Sequence, residues 1–213
     1  MLPGLAGAVG GAPAPFAVSY VSTANNTTSL STYTFASQAI GAPDASRHVV
    51  VVALGDANST SRVFNSATVG GAAMTREVQY TGFYPAAIFT STSPFTSGTT
   101  ADIVVTCSST LENIAIFVFT LTGKLDLPAA SDTLVDTATS GAIDVVPGGV
   151  IIAGAMNLGS TADLTWTNMT EAADVAVESM NRYTAATHLG TATATRTISI
   201  SAGDLIIAAS WNP

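Results

Sequence analysis

Six consecutive apolar residues, Val49-Val50-Val51-Val52-Ala53-Leu54, give this chain its strongest structural signal. Two similar runs follow, Ile103-Val104-Val105-Thr106 and Ile114-Ala115-Ile116-Phe117-Val118-Phe119. Short runs rich in Val, Ile and aromatic residues are typical of β-strands. A strand that is apolar at successive positions has both faces covered, so we predict buried strands at 103–106 and 114–119.

Other runs alternate between apolar and polar residues, as in Tyr33-Thr34-Phe35 and Ile198-Ser199-Ile200-Ser201, which predicts one face in water. Gly70-Gly71 and Pro147-Gly148-Gly149 supply the turn residues that tight hairpins need. Helical periodicity is nearly absent. In the one candidate helix, 172–180, larger residues alternate with polar or small ones, so the pattern favours a strand at least as much as a helix.

The pattern predicts strands throughout the chain after its first residues. They lie near 16–23, 31–36, 47–55, 63–69, 72–80, 85–91, 101–108, 112–121, 141–146, 149–157, 163–169, 182–189, 194–201 and 204–211. Short strands at this spacing indicate an all-β fold, an antiparallel β-sandwich of the jelly-roll type. We expect one sandwich domain over 16–213, with a candidate sub-boundary at 123–140, behind an extended N-terminal arm over 1–15.

One internal repeat is legible without a gap. Residues 143–157 match residues 198–212, each with a strand, a Gly-containing turn, an apolar strand and a large residue before Asn. Duplication and convergence on the needs of a hairpin explain the match equally well. In either case we expect the two hairpins to occupy similar layers of the sandwich.

The composition excludes several classes of function. Charged residues make up 9% of the chain, hydrophobic residues 47%, and the net charge is −8. No basic patch is present to neutralise phosphates, so we expect no nucleic-acid partner. No apolar run reaches the ~20 residues of a spanning helix. The start lacks the basic region of a signal peptide, and the single cysteine, Cys107, fits synthesis in a reducing cytosol.

Candidate catalytic groups are few, and we predict a non-enzymatic protein without cofactor or metal. His48 and His188 are the available bases, no G-x-S-x-G elbow is present, and Cys107 is expected to be a buried thiol. Glu77, Glu112 and Glu171 stand in no recognisable motif. Calcium bound by loop Asp residues is a weaker alternative, and zinc lacks a ligand spacing.

Aromatic residues give the best candidate contact with a ligand or receptor. Tyr80, Phe83 and Tyr84 cluster in a predicted loop, and loops tend to carry binding residues. A turn packed on its own aromatic side chains explains the cluster equally well. Trp166 and Trp211 are predicted to anchor the core or an interface.

Several segments, taken in order, resemble a β-rich accessory virion protein of tailed bacteriophages and of prophages in alphaproteobacteria. They are Ser31-Thr32-Tyr33-Thr34-Phe35, Ile40-Gly41-Ala42-Pro43-Asp44-Ala45-Ser46-Arg47-His48-Val49-Val50-Val51, Ala67-Thr68-Val69-Gly70-Gly71-Ala72-Ala73, Gly98-Thr99-Thr100-Ala101-Asp102-Ile103-Val104-Val105-Thr106 and Val145-Val146-Pro147-Gly148-Gly149-Val150-Ile151-Ile152-Ala153. The resemblance implies a tail-fibre-like or head-decoration protein of the virion, assembled in the cytoplasm of the bacterial host. It brings no catalytic residues.

We therefore expect a structural virion component whose partners are copies of itself and other virion proteins. The candidate assembly contacts are Leu2, Leu5, Val9 and Phe16. The alternative is a module that binds a host-surface carbohydrate or receptor through Tyr80, Phe83 and Tyr84, and a glycan-degrading enzyme is a distant third. A structural protein should lack a deep acidic cleft, whereas a binding module should expose aromatic side chains in a shallow groove.

Overall fold

The computed structural model describes residues 16–124, 126–178 and 180–213, and these residues form β-strands joined by turns and loops, with no helix. The strands are β1 (Ala17–Asn26), β2 (Leu30–Ala39), β3 (His48–Asp56), β4 (Phe64–Val69), β5 (Ala72–Tyr80), β6 (Ala86–Ser91), β7 (Thr100–Leu111), β8 (Asn113–Thr122), β9 (Asp132–Asp136), β10 (Ser140–Val145), β11 (Val150–Leu158), β12 (Trp166–Thr167), β13 (Thr170–Val177), β14 (Asn181–Leu189), β15 (Ala194–Ile200) and β16 (Leu205–Trp211). Every named pairing between them is antiparallel. The prediction of an all-β antiparallel chain is confirmed.

Two strands were not predicted as such. The segment 172–180, which allowed a helix or a strand, contains most of β13. The strand β9 lies within 123–140, which the sequence analysis treated as a connection, and its five residues are all only half-buried or exposed. A short strand at the edge of a sheet lacks the apolar run by which the other strands are recognised.

The first half of the chain forms one eight-stranded sheet in the order β1-β8-β3-β6-β5-β4-β7-β2. The sheet curls into a nearly closed barrel, because its two edge strands, β1 and β2, come into contact. Inside lies a core that includes Tyr33, Val49, Val51, Phe64 and Ile116. At the tip of the β4–β5 hairpin, Gly70 and Gly71 have φ of 55° and 81°, as the turn chemistry predicted.

The second half forms two smaller sheets that repeat this order. A five-stranded sheet has the order β13-β14-β11-β16-β9, and a three-stranded sheet has the order β10-β15-β12. Counted from β9 as the first strand of its half, these orders are 5-6-3-8-1 and 2-7-4. The first half runs 1-8-3-6-5-4-7-2, so both halves pair their strands in the same way, except that β12 and β13 lie in different sheets whereas β4 and β5 pair. The change from one set of sheets to the next falls between Thr122 and Asp132.

The internal repeat in the sequence corresponds to two pairs of consecutive strands, β10–β11 and β15–β16. The prediction that each copy forms a hairpin is wrong, because the two strands of each copy lie in different sheets. The strand β10 pairs with β15 in the three-stranded sheet, and β11 pairs with β16 in the five-stranded sheet. Equivalent strands of the two copies therefore lie in the same layer, as predicted. Ala153 and Ala208, which correspond in the repeat, face each other across the β11–β16 pair.

The described residues form three hydrophobic cores. The middle core contains residues from both halves of the chain. Val50, Val52 and Leu54 of β3 pack there with Ile152 of β11 and Ile207 of β16. A third core fills the space between the five-stranded and three-stranded sheets. The inner strands face a core on both sides, so β8 is buried from Asn113 to Leu121. The prediction that 114–119 has both faces covered is confirmed.

The same prediction is wrong for 103–106. Ile103 and Val105 are buried in the barrel, whereas Val104 and Thr106 are only half-buried. The strand β7 belongs to the outer wall, which has no second sheet behind it. The alternation predicted for 33–35 and 198–201 is confirmed, since Tyr33, Phe35, Ile198 and Ile200 are buried and the polar residues between them are not.

The eight-stranded and five-stranded sheets pack closely at Gly154 of β11. A Cβ atom at Gly154 would lie 2.5 Å from Cγ1 of Val52 and 3.3 Å from Cδ2 of Leu54. Both of these side chains are fully buried in the middle core. They cannot turn towards solvent, so a side chain at residue 154 forces the sheets apart.

We expect Gly154→Ala to destabilise the fold and Gly154→Val to destabilise it more. Relief of backbone entropy by Ala gains about 0.5–1 kcal/mol, but overpacking a dense core costs about 1–3 kcal/mol. Urea unfolding, followed by fluorescence of the buried Trp211, measures the difference. Ala142→Val, on the exposed side of β10, adds the same branched bulk without a clash and should leave the midpoint nearly unchanged. An unchanged midpoint for Gly154→Val would contradict the close packing.

Candidate functional site

A cleft of about 470 Å³ opens where the ends of the two halves meet. The first half contributes Asp56, Asn58, Tyr84 and Glu112, and the second half contributes Leu158, Gly159, Glu178, Met180 and Asn181. The wall residues come from the end of β3, the loop before β6, the β7–β8 turn, the end of β11 and the β13–β14 turn. The cleft is therefore a product of the way the two halves pack.

The first-half wall is organised by the carboxylate of Asp56. The Asn58 backbone N–H donates to its Oδ1 at 2.8 Å, and the Asn181 side-chain amide donates to its Oδ2 at 3.0 Å. Asn58 adopts a positive φ of 57°, which Asn tolerates better than most residues. Its side-chain amide donates to Oε1 of Glu112 at 2.5 Å. Two carboxylates thus accept hydrogen bonds from amide groups, one of which reaches across from the second half.

The opposite wall carries Glu178, in the turn between β13 and β14. This residue has a φ of 61°, which costs a residue with a Cβ atom free energy that the surroundings must offset. Its Oε2 accepts a hydrogen bond from the side-chain amide of Asn113 at 3.4 Å. Asn113 in turn accepts a hydrogen bond from the Tyr183 hydroxyl at 2.5 Å. Asn113 and Tyr183 are both fully buried, so this chain of contacts links the cleft to the middle core.

The three predicted aromatic residues lie near the cleft but differ in exposure. Phe83 is 49% exposed, whereas Tyr80 and Tyr84 are half-buried against the middle core. Phe83 and Tyr84 contact edge to face, with ring centroids 6.4 Å apart. The loop is fixed to the end of β3, because the Ala57 N–H donates to the Phe83 carbonyl at 2.8 Å. Of the three, only Tyr84 lines the cleft.

Burial raises the pKa of the Tyr84 hydroxyl, and the charges of Asp204 and Asp56 raise it further. The hydroxyl is therefore protonated at neutral pH, where it offers one donor and one acceptor. The lining includes three carboxylates and, among the described residues, neither Lys nor Arg. Its chemistry is that of a negatively charged wall of hydrogen-bond acceptors beside an aromatic ring.

Other candidate groups lie away from this cleft. His48 and Ser91 are buried together in the sheet, with the His48 Nδ1 3.1 Å from the Ser91 carbonyl oxygen and 3.4 Å from its Oγ. Cys107 is a buried free thiol, as predicted. Burial lowers the pKa of His188, and the charge of Arg196 adds to this effect. In the described ranges, no group of three or more His, Cys, Asp or Glu side chains could hold a metal ion.

Of the four predicted assembly contacts, only Phe16 lies among the described residues. Leu2, Leu5 and Val9 lie outside the described residues. Phe16 is buried, its N–H donates to the Gly148 carbonyl at 3.0 Å, and the Lys124 ammonium sits 5.6 Å from its ring centroid. Trp211 is fully buried in the middle core, and the half-buried Trp166 donates its indole N–H to Thr184 at 3.0 Å.

Comparisons with known proteins give no assignment. No protein-family model matches the chain, and no curated protein matches it. Among the residues that the structure describes, no helix is long and apolar enough to cross a membrane. The resemblance to accessory virion proteins therefore stays a prediction.

Sequence reasoning found Tyr84 and missed most of the cleft. Glu112 was considered only as one of the isolated acids, and Glu178 was passed over although it stands beside the predicted 182–189 strand. Asp56 and Asn181, which are hydrogen-bonded, lie 125 residues apart in the chain. A pairing at that distance leaves no local pattern. The one available signal was the concentration of Asp, Asn and Glu at strand ends, where they usually serve turns.

We expect Tyr183→Phe to lower the free energy of unfolding by about 1–3 kcal/mol, because it leaves the buried Asn113 carbonyl without its donor. Urea unfolding at neutral pH measures this loss. Tyr20→Phe is the matched control, since the Tyr20 side chain is 37% exposed and water can replace its hydroxyl contacts. Equal stability of the two variants would show that the Tyr183–Asn113 hydrogen bond contributes nothing.

Tyr183 also makes the free energy of unfolding fall as the pH becomes alkaline. Burial raises the pKa of Tyr183 well above its ordinary value of 10.0. As the pH rises past about 10, Tyr183 ionises first in the unfolded chain, so the folded state loses stability. Below that pH the contribution is fully present. In unfolding experiments at about pH 9–11, Tyr183→Phe should lose less stability than the parent protein, by up to about 1.4 kcal/mol per pH unit. Parallel curves would contradict this assignment.

Proposed function

We propose that this chain is a non-enzymatic structural component of a bacteriophage virion, which decorates the head or forms part of the tail or fibre apparatus. We also propose that it is built from two consecutive jelly rolls. The observation that carries the proposal is the repeated strand order 1-8-3-6-5-4-7-2, continuous in β1–β8 and split into two sheets in β9–β16. This is the order in which an eight-stranded jelly roll pairs its strands.

The fold narrows the function by analogy. Jelly rolls recur in viral capsid proteins and in lectins, although a fold alone does not define a function. The rarity of charged side chains, 9% of the chain, favours a molecule that packs against other subunits. Among the described residues, the exposed large apolar side chains are Tyr20, Leu30, Phe83, Val135, Met180 and Leu189. Several stand on or beside edge strands, where a partner can add contacts.

The partners under this proposal are further copies of the chain and other virion proteins. Leu2, Leu5 and Val9 remain the proposed contacts of the N-terminal arm. Phe16 would act differently, because its ring is already covered within the chain. It would fix the point from which the arm departs, next to Gly148 and Lys124.

A second candidate function is favoured by the cleft. Carboxylates line it, which is the feature expected to be absent from a purely structural protein, and an aromatic ring forms one wall. These features support a module of the virion that binds a carbohydrate or a host receptor. The two functions are compatible, since a fibre or decoration protein can also bind a host surface.

Mass-spectrometric quantification of purified particles tests the structural proposal. We expect the chain at a fixed stoichiometry, with a handful of copies if it belongs to the tail and hundreds if it covers the head. The major capsid protein in the same sample provides the internal standard. A copy number that varies between preparations, or loss of the protein when particles are washed in high salt, would overturn the proposal.

A further inference from the structure

The cleft has the size and the wall structure of a site for a small ligand. Its volume of about 470 Å³ falls in the range of small-molecule sites, roughly 300–1,000 Å³. Tyr84 and Leu158 supply apolar surface. Met180, which is 58% exposed, stands at the rim on a flexible side chain that can adapt to a ligand.

Its polar groups demand a ligand rich in hydrogen-bond donors. An ionised carboxylate only accepts hydrogen bonds, and each of its oxygens can accept more than one. Within the described residues, Glu112 uses only Oε1 and Glu178 only Oε2 for hydrogen bonds to the protein. The second oxygen of each group can accept from a ligand hydroxyl, in a short charge-assisted hydrogen bond. Asn58 holds the Glu112 carboxylate at 2.5 Å, so ordering that side chain on binding costs less entropy.

The charge of the cleft selects against anions. Asp56, Glu112 and Glu178 stand around it without a neighbouring Lys or Arg in the lining. Glu112 and Glu178 are exposed, so a ligand carboxylate or phosphate would meet repulsion that water and salt screen in part. Among the described residues, these three carboxylates do not form a group that could hold a metal ion. Acceptors spread over different walls suit several hydroxyls around a ring better than a single ammonium group.

We infer that the cleft binds a pyranose without an acidic group, a neutral or amino hexose at the end of a glycan. The Tyr84 ring packs against the apolar C–H face of the sugar, while Glu112 and Glu178 accept from its hydroxyls. This inference rests on the second proposed function and names its ligand class. It adds that acidic sugars, such as uronic and sialic acids, are excluded.

Titration of the full-length protein with methyl glycosides tests the inference, by chemical-shift changes and saturation transfer in NMR. The probes are the methyl glycosides of glucose, galactose, mannose and glucosamine, with methyl β-glucuronide as the acidic counterpart of methyl β-glucoside. We expect at least one neutral or amino glycoside to bind, with a Kd on the order of 1 mM, a typical value for a small weak ligand. The glucuronide should bind at least about ten-fold more weakly than its neutral counterpart.

Matched variants locate the site. Glu112→Gln keeps the oxygen that Asn58 contacts but removes the charge, so affinity for the bound glycoside should fall about ten-fold. Discrimination against the glucuronide should fall as well. Glu171→Gln makes the same change on the exposed surface of β13, away from the cleft lining, and should alter neither value. Tyr84→Phe, which keeps the ring and loses the hydroxyl, should weaken binding less than Tyr84→Ala.

Three outcomes of the glycoside titrations overturn the inference. They are no binding by any neutral or amino glycoside, equal binding of the glucuronide, and equal effects of Glu112→Gln and Glu171→Gln. Binding of a lysine-containing peptide in place of sugars would also overturn it. If no sugar binds but the protein is present in particles at a fixed stoichiometry, the proposal of a structural component stands. Conversely, sugar binding by a protein absent from particles removes the virion proposal and leaves the sugar site.

Discussion

The packing of one apolar sheet against another in the middle of the molecule is the contact on which the remaining structure depends. The outer face of β1-β8-β3-β6 meets the five-stranded sheet and forms the middle core. This contact buries the second face of β3, β8, β11 and β16, which no single sandwich could cover. It also brings the end of β3 to the β13–β14 turn, so the cleft exists only because the two halves are joined. Gly154 permits the approach by omitting a side chain.

The sequence predicted most strands because burial on one or both faces leaves a local pattern. The run at 49–54 and the alternation at 33–35 are each legible from a few residues. The pairing order is not, because β1 pairs with β8 and β2 with β7 across the whole first half. The error at 103–106 has the same origin. Four apolar or small residues in a row look alike whether a second sheet lies behind them or water does.

The site was less predictable than the fold because its residues come from distant turns. Tyr84 was found, since an aromatic cluster in a loop is unusual in itself. Asp56 and Glu178 look like ordinary turn residues, and only the packing of the halves makes them face one space. Their amide partners show why the packing matters: Asn181 reaches Asp56, and Asn113 reaches Glu178, each from the opposite half. Polar contacts of this kind fix the relative position of the two walls.

The middle core also leaves the first half of the chain with an uncovered apolar face until the second half has been synthesised. As the chain leaves the ribosome, β1–β8 can pair among themselves before β16 exists, and the barrel interior can form. The outer face of β3 and β8 then presents Val50, Val52, Phe117 and Phe119 to water until the second half is made. An apolar sheet face exposed for the time needed to make the remaining residues is prone to aggregation. The chain is therefore most prone to aggregate during translation, when β1–β8 have folded and the second half is incomplete. A premature stop within the second half would leave the same apolar surface exposed.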